Sequence, residues 1–201
     1  MGRRLFLAAA GFLPVTSIAA TCFGIAGLHT LAACVLVPTL MAVAWLAGRA
    51  AWVAGLVTRA VAAGIVATAL YDLFRFGFLW SGLMHGDPIP HIGAALGLHP
   101  DAAFGYLWRY LLNGAGLAVA FAALGGRGVR AGIAYGLFVC GGLLTTLALS
   151  PHGQQILFPL SATSVAMATG GHMIYGGVLG ALLAPDRATG VSFARAAEAR
   201  A

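Results

Sequence analysis

The sequence contains no lysine, and charged residues of any kind make up only 8% of its 201 residues. The absence of lysine excludes a retinal Schiff base and any covalent chemistry that needs a lysine amine. A water-soluble domain would carry roughly a quarter charged residues. With 61% hydrophobic residues and a mean hydropathy of +0.94, the chain has more apolar surface than a globule of this length can bury. The composition therefore points to lipid as the solvent.

Cysteine is also scarce. Cys22, Cys34 and Cys140 are the three cysteines; each lies in an apolar stretch and none belongs to a CxxC pattern. Thiols in such positions are usually inert packing residues, so no cysteine redox centre is predicted. A Cys22–Cys34 disulfide across the first hairpin stays open as an alternative, although nothing in the sequence requires it.

The hydrophobic runs are continuous rather than alternating, which favours membrane-spanning helices over a β-barrel. We predict an all-α bundle of six transmembrane helices, with spans near 5–28, 31–46, 53–80, 102–124, 131–149 and 157–183. The bundle forms one domain over residues 1–184, in which 81–101 is an extracytoplasmic loop or cap, and 185–201 form a basic cytoplasmic tail. The N-terminus also has the pattern of a cleavable signal peptide, but its apolar character continues to Leu28, so we expect a retained first span.

Arginines and histidines occupy alternate connections between the predicted spans. The N-terminus, the turns at 47–52 and 125–130, and the C-terminal tail each carry arginine, whereas the connections near 29–30, 81–101 and 150–156 carry none. Because positively charged loops stay in the cytoplasm, we expect a multi-pass protein of the plasma or inner membrane with both termini cytoplasmic. The arginines are dispersed among short turns, so nucleic acid is not an expected partner.

Several polar residues lie inside the predicted spans, where charge is costly. Asp72 and Arg75 share one helical face, and the helical rise places Arg109 at a similar depth in an antiparallel neighbour. Charges within a bilayer normally pair or line a water-filled cavity. We predict an outward-facing pocket whose residues include an Asp72–Arg75 or Asp72–Arg109 pair: Asp72, Arg75, Arg109, Asn113, His172 and Tyr175.

Two alternatives to this pocket stay open. The ion pair could simply lock two helices together, and His172, between small residues, could be an interhelical hydrogen-bonding group. If the pocket holds a ligand, a carboxylate or phosphate on that ligand would suit the arginines.

The 81–101 connection is rich in metal-binding side chains: His85, Asp87, His91 and His99. Neutral imidazole and carboxylate suit zinc, iron, nickel or copper, so a divalent metal ion is the one cofactor that the sequence suggests. The spacing matches no established metal motif, and a solvated polar loop, the favoured interpretation, explains the segment without any ligand.

The chain has 29 glycines, among them Gly176 and Gly180 in a GxxxG pattern. Small residues let helix backbones approach closely in lipid, so we expect glycine-mediated helix packing in the last span.

Three functions remain open. The first is binding, and by extension transport, of a small molecule or metal ion in the outward-facing pocket. The second is a membrane-embedded enzyme acting on a lipid or isoprenoid, with Asp72 as general acid or a His-bound metal as the catalytic group. The third is a non-catalytic subunit whose glycine-rich faces contact partner helices in a larger membrane complex. The sequence identifies no substrate and does not decide whether the chain is an enzyme.

Overall fold

The computed structural model describes residues 1–84, 86–97 and 102–184, and in these ranges the regular structure is entirely helical. The helices, in chain order, are α1 (Gly2–Cys22), α2 (Leu28–Arg49), α3 (Ala51–Trp80), α4 (Ile89–Ala95), α5 (102–123), α6 (Val129–Leu149), α7 (Gly153–Ile156) and α8 (Ala162–Leu182). Five of them, α1, α2, α3, α6 and α8, are long and apolar enough to cross a membrane. The all-α, multi-pass membrane class is therefore the one that the fold supports.

Helix α5 differs from these five because polar residues interrupt its apolar sequence. It consists of Ala102–Leu107, a π-helical segment Trp108–Gly114 that contains Arg109 and Asn113, and Ala115–Ala123. Its last part is almost wholly buried and packs against α1 and α3. A helix enclosed by other helices presents little surface to lipid, so it tolerates polar residues that an exposed span would not.

The helix boundaries shift where local turns intervene. Helix α1 ends at Cys22 rather than near Leu28, because Gly24 adopts φ +73° and turns the chain into α2. Helix α8 begins only after Ser161, whose side chain accepts a hydrogen bond from Ser164 N in a reciprocal capping box. Cys22 is a buried free thiol and Cys34 an exposed one, so the alternative disulfide is not formed.

The connections segregate to two ends of the bundle. At the cap end, which carries residues 23–27, 81–84, 86–97 and 150–161, His152 N donates to Cys22 O at 3.1 Å. At the opposite, arginine end, Gly128 N donates to Gly180 O at 3.0 Å, and Arg4 lies 6.0 Å from the ring of Trp52. These contacts tie neighbouring connections together at each end of the bundle.

Glycine brings α6 and α8 into backbone contact. A Cβ atom at Gly176 would collide with the backbone of Gly132, and one at Gly180 would collide with the backbone of Gly128. A side chain at Gly136 would likewise meet the carbonyl group of His172. The expected close packing through Gly176 and Gly180 is confirmed, and its partners are Gly132 of α6 and Gly128, the residue that caps α6.

Candidate functional site

A buried carboxylate joins α3 to α5. Asp72 is 1% exposed, and its Oδ1 accepts hydrogen bonds from Arg75 Nε at 3.1 Å and from Arg109 Nε at 2.7 Å. The Nη2 atom of Arg109 lies 2.6 Å from the same oxygen in the ion pair. Both ion pairs that the sequence suggested are present together. Because two guanidinium groups converge on one oxygen, the cluster is strongly held and fixes the register of α3 against α5.

The second oxygen of this carboxylate is left over. Asp72 Oδ2 is buried and has no hydrogen-bond partner of acceptable geometry among the described residues. The Tyr110 hydroxyl lies beside the Asp72 carboxylate and interacts with it through charge and through a side-chain hydrogen bond. Tyr110 is therefore the group nearest to completing the hydrogen bonding of this carboxylate.

Arg75 also ties the cap to the bundle. Its Nη1 donates to Asp87 Oδ1 at 2.6 Å and its Nη2 donates to Tyr106 Oη at 2.8 Å, while Tyr106 Oη donates to Asp87 Oδ2 at 2.6 Å. Ile89 N completes the set by donating to Asp87 Oδ1 at 3.0 Å. The three mutual hydrogen bonds among Arg75, Asp87 and Tyr106 place α4 over the cap end of the bundle, with Ile89 and Ile92 buried beneath it.

The environment of Asp87 favours its ionised form. Partial burial alone would raise its pKa, but the hydrogen bonds from Tyr106 and from Ile89 N, together with the charge of Arg75, lower the pKa of Asp87 below its ordinary value of 3.8. The cap is therefore held by a carboxylate that stays charged at neutral pH.

The π-helical segment of α5 sets the position of the remaining polar groups. Trp108 Nε1 donates to Asn113 Oδ1 at 3.0 Å, which orients the amide, and Tyr175 Oη donates to Gly114 O at 2.7 Å. Gly114 packs against Thr68 with no room for a side chain. π-Helical turns inside longer helices occur frequently at functional sites, and this one carries two residues of the predicted pocket.

A cavity of about 370 Å³ lies beneath the cap, within the range of roughly 300–1,000 Å³ that is usual for small-molecule sites. Its walls are mainly apolar, formed by side chains such as Phe12, Ile18, Leu117, Leu143, Phe158 and Met167. Its polar lining is concentrated on α3, α5 and α8, and includes Arg75, Arg109, Asn113, His172 and Tyr175. The cavity is thus amphipathic, with an apolar body and a polar end.

The cavity reaches the bundle surface between α1 and α6. Thr16 on α1 and Gly142 on α6 both line the cavity and are both exposed. These two helices touch only sparsely, and Phe12 packs against Phe138 with ring centroids 6.3 Å apart. A Cβ atom at Gly142 would meet nothing within 4 Å, so this glycine leaves the opening unobstructed.

The polar end offers both donors and an acceptor. Arg109 Nη1 has no hydrogen-bond partner among the described residues, and Asn113 keeps its amide NH₂ as a donor because its oxygen accepts from Trp108. His172 Nδ1 bonds to Ala168 O at 2.7 Å, so it must be the protonated nitrogen, and the neutral ring presents Nε2 as an acceptor. A hydroxyl group, which both accepts and donates, would satisfy such a set.

Charge is balanced within the site. The guanidinium of Arg75 is matched by Asp87, and that of Arg109 by Asp72, at distances of 2.6 Å in each case. A ligand carboxylate or phosphate, which suited the arginines when they were viewed in isolation, would have to displace one of these carboxylates. The arrangement therefore favours an uncharged polar group.

The structure brings most of the predicted pocket residues together. Five of the six line the cavity, whereas Asp72 lies behind Arg75 and Arg109 and is not among the lining residues. Of the suggested metal ligands, His85 and His99 lie outside the described residues, His91 is exposed, and Asp87 is committed to Arg75, Tyr106 and Ile89 N. Within the described ranges no three His, Cys, Asp or Glu residues converge as a metal site would require.

Sequence reasoning missed the residues that complete the site. Tyr106 was not singled out, although it precedes Arg109 by three residues and so shares its helical face. Tyr71 was also missed; its ring lies 4.6 Å from the Arg109 guanidinium and packs edge-on against His172. Aromatic residues spaced one turn from an intramembrane arginine were the available signal.

Comparison with known proteins finds no matching family model, no matching curated protein and no matching solved structure. Function therefore has to be argued from the chemistry of the site.

Proposed function

We propose that this chain is a multi-pass membrane protein that binds an amphipathic molecule, of the lipid or isoprenoid kind, in the cavity beneath its cap. The observation that carries the proposal is the cavity itself: about 370 Å³, apolar along its walls, polar at one end and open at the side between α1 and α6. A hydrophobic ligand dissolved in the bilayer would enter through that opening. If the bound molecule then leaves past the cap, the same cavity would serve for transport.

The head group of the ligand is neutral under this proposal. Arg109 Nη1 and the Asn113 amide would donate to its oxygen, and His172 Nε2 would accept from its hydroxyl hydrogen. An uncharged group leaves the Asp72 and Asp87 ion pairs intact, and so avoids the large cost of leaving a buried charge unpaired.

The proposed placement in the membrane makes α5 a sixth span. An even number of crossings puts both termini on one side, and the arginine end then faces the cytoplasm of a plasma or inner membrane. The cap end and its cavity face outward. Neither metal transport nor a general-acid role for Asp72 is favoured, because no ligand cluster forms in the described ranges and Asp72 does not line the cavity. Partner subunits on the glycine-rich faces are compatible with this function.

A blocked entrance tests the proposal. Gly142→Phe places a ring in the opening between α1 and α6, where a Cβ meets no atom within 4 Å. The matched control is Gly141→Phe, at an adjacent exposed glycine that also has open space but does not line the cavity. Each variant is purified in mild detergent and the bound small molecules are identified and counted by native mass spectrometry.

We expect a hydrophobic molecule to co-purify with the wild-type protein and with Gly141→Phe, and to be lost from Gly142→Phe. Asn113→Leu should retain the molecule with roughly 5- to 150-fold weaker affinity, since a lost hydrogen bond in an apolar site costs about 1–3 kcal/mol. Equal occupancy in all four proteins, with unchanged thermal stability, contradicts the proposal.

A further inference from the structure

A second hollow lies at the arginine end, far from the cap. It has a volume of about 360 Å³, and three arginines from different parts of the chain line it: Arg4 on α1, Arg59 on α3 and Arg127 in the turn after α5. All three are exposed. Convergence of three guanidinium groups on one concave surface is more specific than the general enrichment of arginine at this end of the bundle.

These arginines lack protein counter-charges in the described ranges. The carboxylates there are Asp72 and Asp87, both in the cap half of the molecule, and no ion pair involves the arginines of the hollow. Arg4 makes only a cation–π contact with Trp52, at 6.0 Å from the ring centroid. Among the described residues, the positive charge of the hollow is therefore not balanced by carboxylates, unlike that of the cap-side site.

A glycine keeps the hollow open. Gly55 lines it from α3, and a Cβ atom built there would meet nothing within 4 Å. A larger residue at this position would extend a side chain from the lining of the hollow without altering any charge.

The hollow lies at the level of the expected membrane surface. Trp52, 44% exposed, forms part of its lining, and Trp45 on α2 lies under Arg49 at 4.4 Å. Tryptophan and arginine at helix ends are typical of the boundary between hydrocarbon and head groups. An anion that reaches the hollow from this boundary would most simply be part of the bilayer.

We propose that this hollow binds the phosphate of an anionic phospholipid head group from the leaflet at the arginine end. Guanidinium groups bind phosphate oxygens bidentately, and basic pockets between membrane helices favour such head groups. The site is distinct from the cap-side cavity and does not depend on the function proposed for that cavity.

The test is a native mass spectrometry titration of detergent-solubilised protein with short-chain phosphatidylglycerol, and with phosphatidylcholine of the same chain length. We expect one phosphatidylglycerol to bind preferentially to the wild type. Arg59→Gln and Arg127→Gln should each weaken that binding roughly fivefold, and the double variant roughly twenty-fivefold.

The control variants show whether the lipid binds in the hollow or is attracted by the general positive charge of this end of the bundle. Arg49→Gln and Arg130→Gln remove the same charge at the same end, but neither residue lines the hollow, so each should change the affinity less than twofold. Gly55→Leu should abolish preferential binding with all arginines present. Gly48→Leu, at a glycine with equally open space outside the hollow, should leave it unchanged.

Three results overturn the proposal. Equal weakening by Arg49→Gln and Arg59→Gln would show that surface charge alone attracts the lipid. Wild-type affinity in Gly55→Leu would show that the hollow is not the binding site. Glycerol phosphate that binds as tightly as phosphatidylglycerol, and displaces it, would assign the hollow to a soluble phosphate rather than to a lipid.

Discussion

The two halves of α8 are packed in opposite ways. Toward the arginine end, Gly176 and Gly180 press against the backbone of α6, and not even a methyl group fits between the two helices. Toward the cap end, Met167 and His172 face a cavity of about 370 Å³. The same helix therefore serves as a rigid seam in one half and as the wall of a site in the other.

The contrast shows which interactions are available to a helix in lipid. Apolar side chains gain little by leaving lipid for a protein interior, so close backbone packing must hold the glycine seam together. At the cap end of the bundle, a network of four charged residues joins α3, the cap and α5. The seam and the network can be weakened independently by mutation.

The largest effect is expected from the charged network. Asp72→Asn leaves Arg75 and Arg109 without their shared carboxylate, and loss of one partner from a buried ion pair costs about 3–5 kcal/mol. The free energy of unfolding in detergent, measured by denaturant titration, should fall by that order. In Asp72→Asn/Arg109→Gln much of the loss should be recovered, because the uncompensated charge is removed as well. Strictly additive losses would show that the pair is not coupled.

A smaller effect is expected where Gly176 and Gly180 of α8 pack against the backbone of α6. Gly176→Val forces a side chain into the backbone of Gly132, and overpacking of this kind costs about 1–3 kcal/mol. Its control is Gly177→Val, since a Cβ at Gly177 meets only methyl groups of Ile133 and Val129 at ordinary distances of 3.5–3.9 Å. Thermal unfolding should separate the two variants, and indistinguishable melting temperatures would refute the tight seam.

The smallest effect concerns the cap and depends on pH. Because the pKa of Asp87 is lowered in the folded protein, its pairing with Arg75 and Tyr106 is fully present above the ordinary value of 3.8 and is lost as the pH falls through the lower folded-state value. A spin label at Ala94→Cys, in a Cys34→Ser background, should become more mobile over that fall. With Asp87→Asn added, the label should be mobile already at neutral pH. If the mobility of the label does not change with pH in the protein that keeps Asp87, then Asp87 does not hold the cap in place.

The sequence predicted the charged cluster inside the membrane but not its connection to the cap. Asp72, Arg75 and Arg109 could be placed together because helical rise and a short connection fix depth in neighbouring spans. The link from Arg75 to Asp87 could not, since the conformation of the irregular residues 81–88 is not encoded in any hydrophobic period. For the same reason Asp87 was grouped with nearby histidines as a metal ligand, whereas the structure commits it to an arginine.

The glycine contacts were likewise predicted only in part. The GxxxG spacing at Gly176 and Gly180 predicted a packing face, and that face is present. Its partner helix was not predictable, because 29 glycines offer many equivalent faces.

The sequence alone determined the long apolar helices, the charges placed on a few helix faces, and the arginines of the 47–52 and 125–130 turns at the end opposite the cap. These properties depend on composition and on local periodicity, which are readable along the chain. Only the tertiary structure decided where the helices leave a cavity, that its charges cancel in pairs, and that three arginines meet around a second hollow. Each of those outcomes depends on helix rotation and on contacts between residues far apart in sequence.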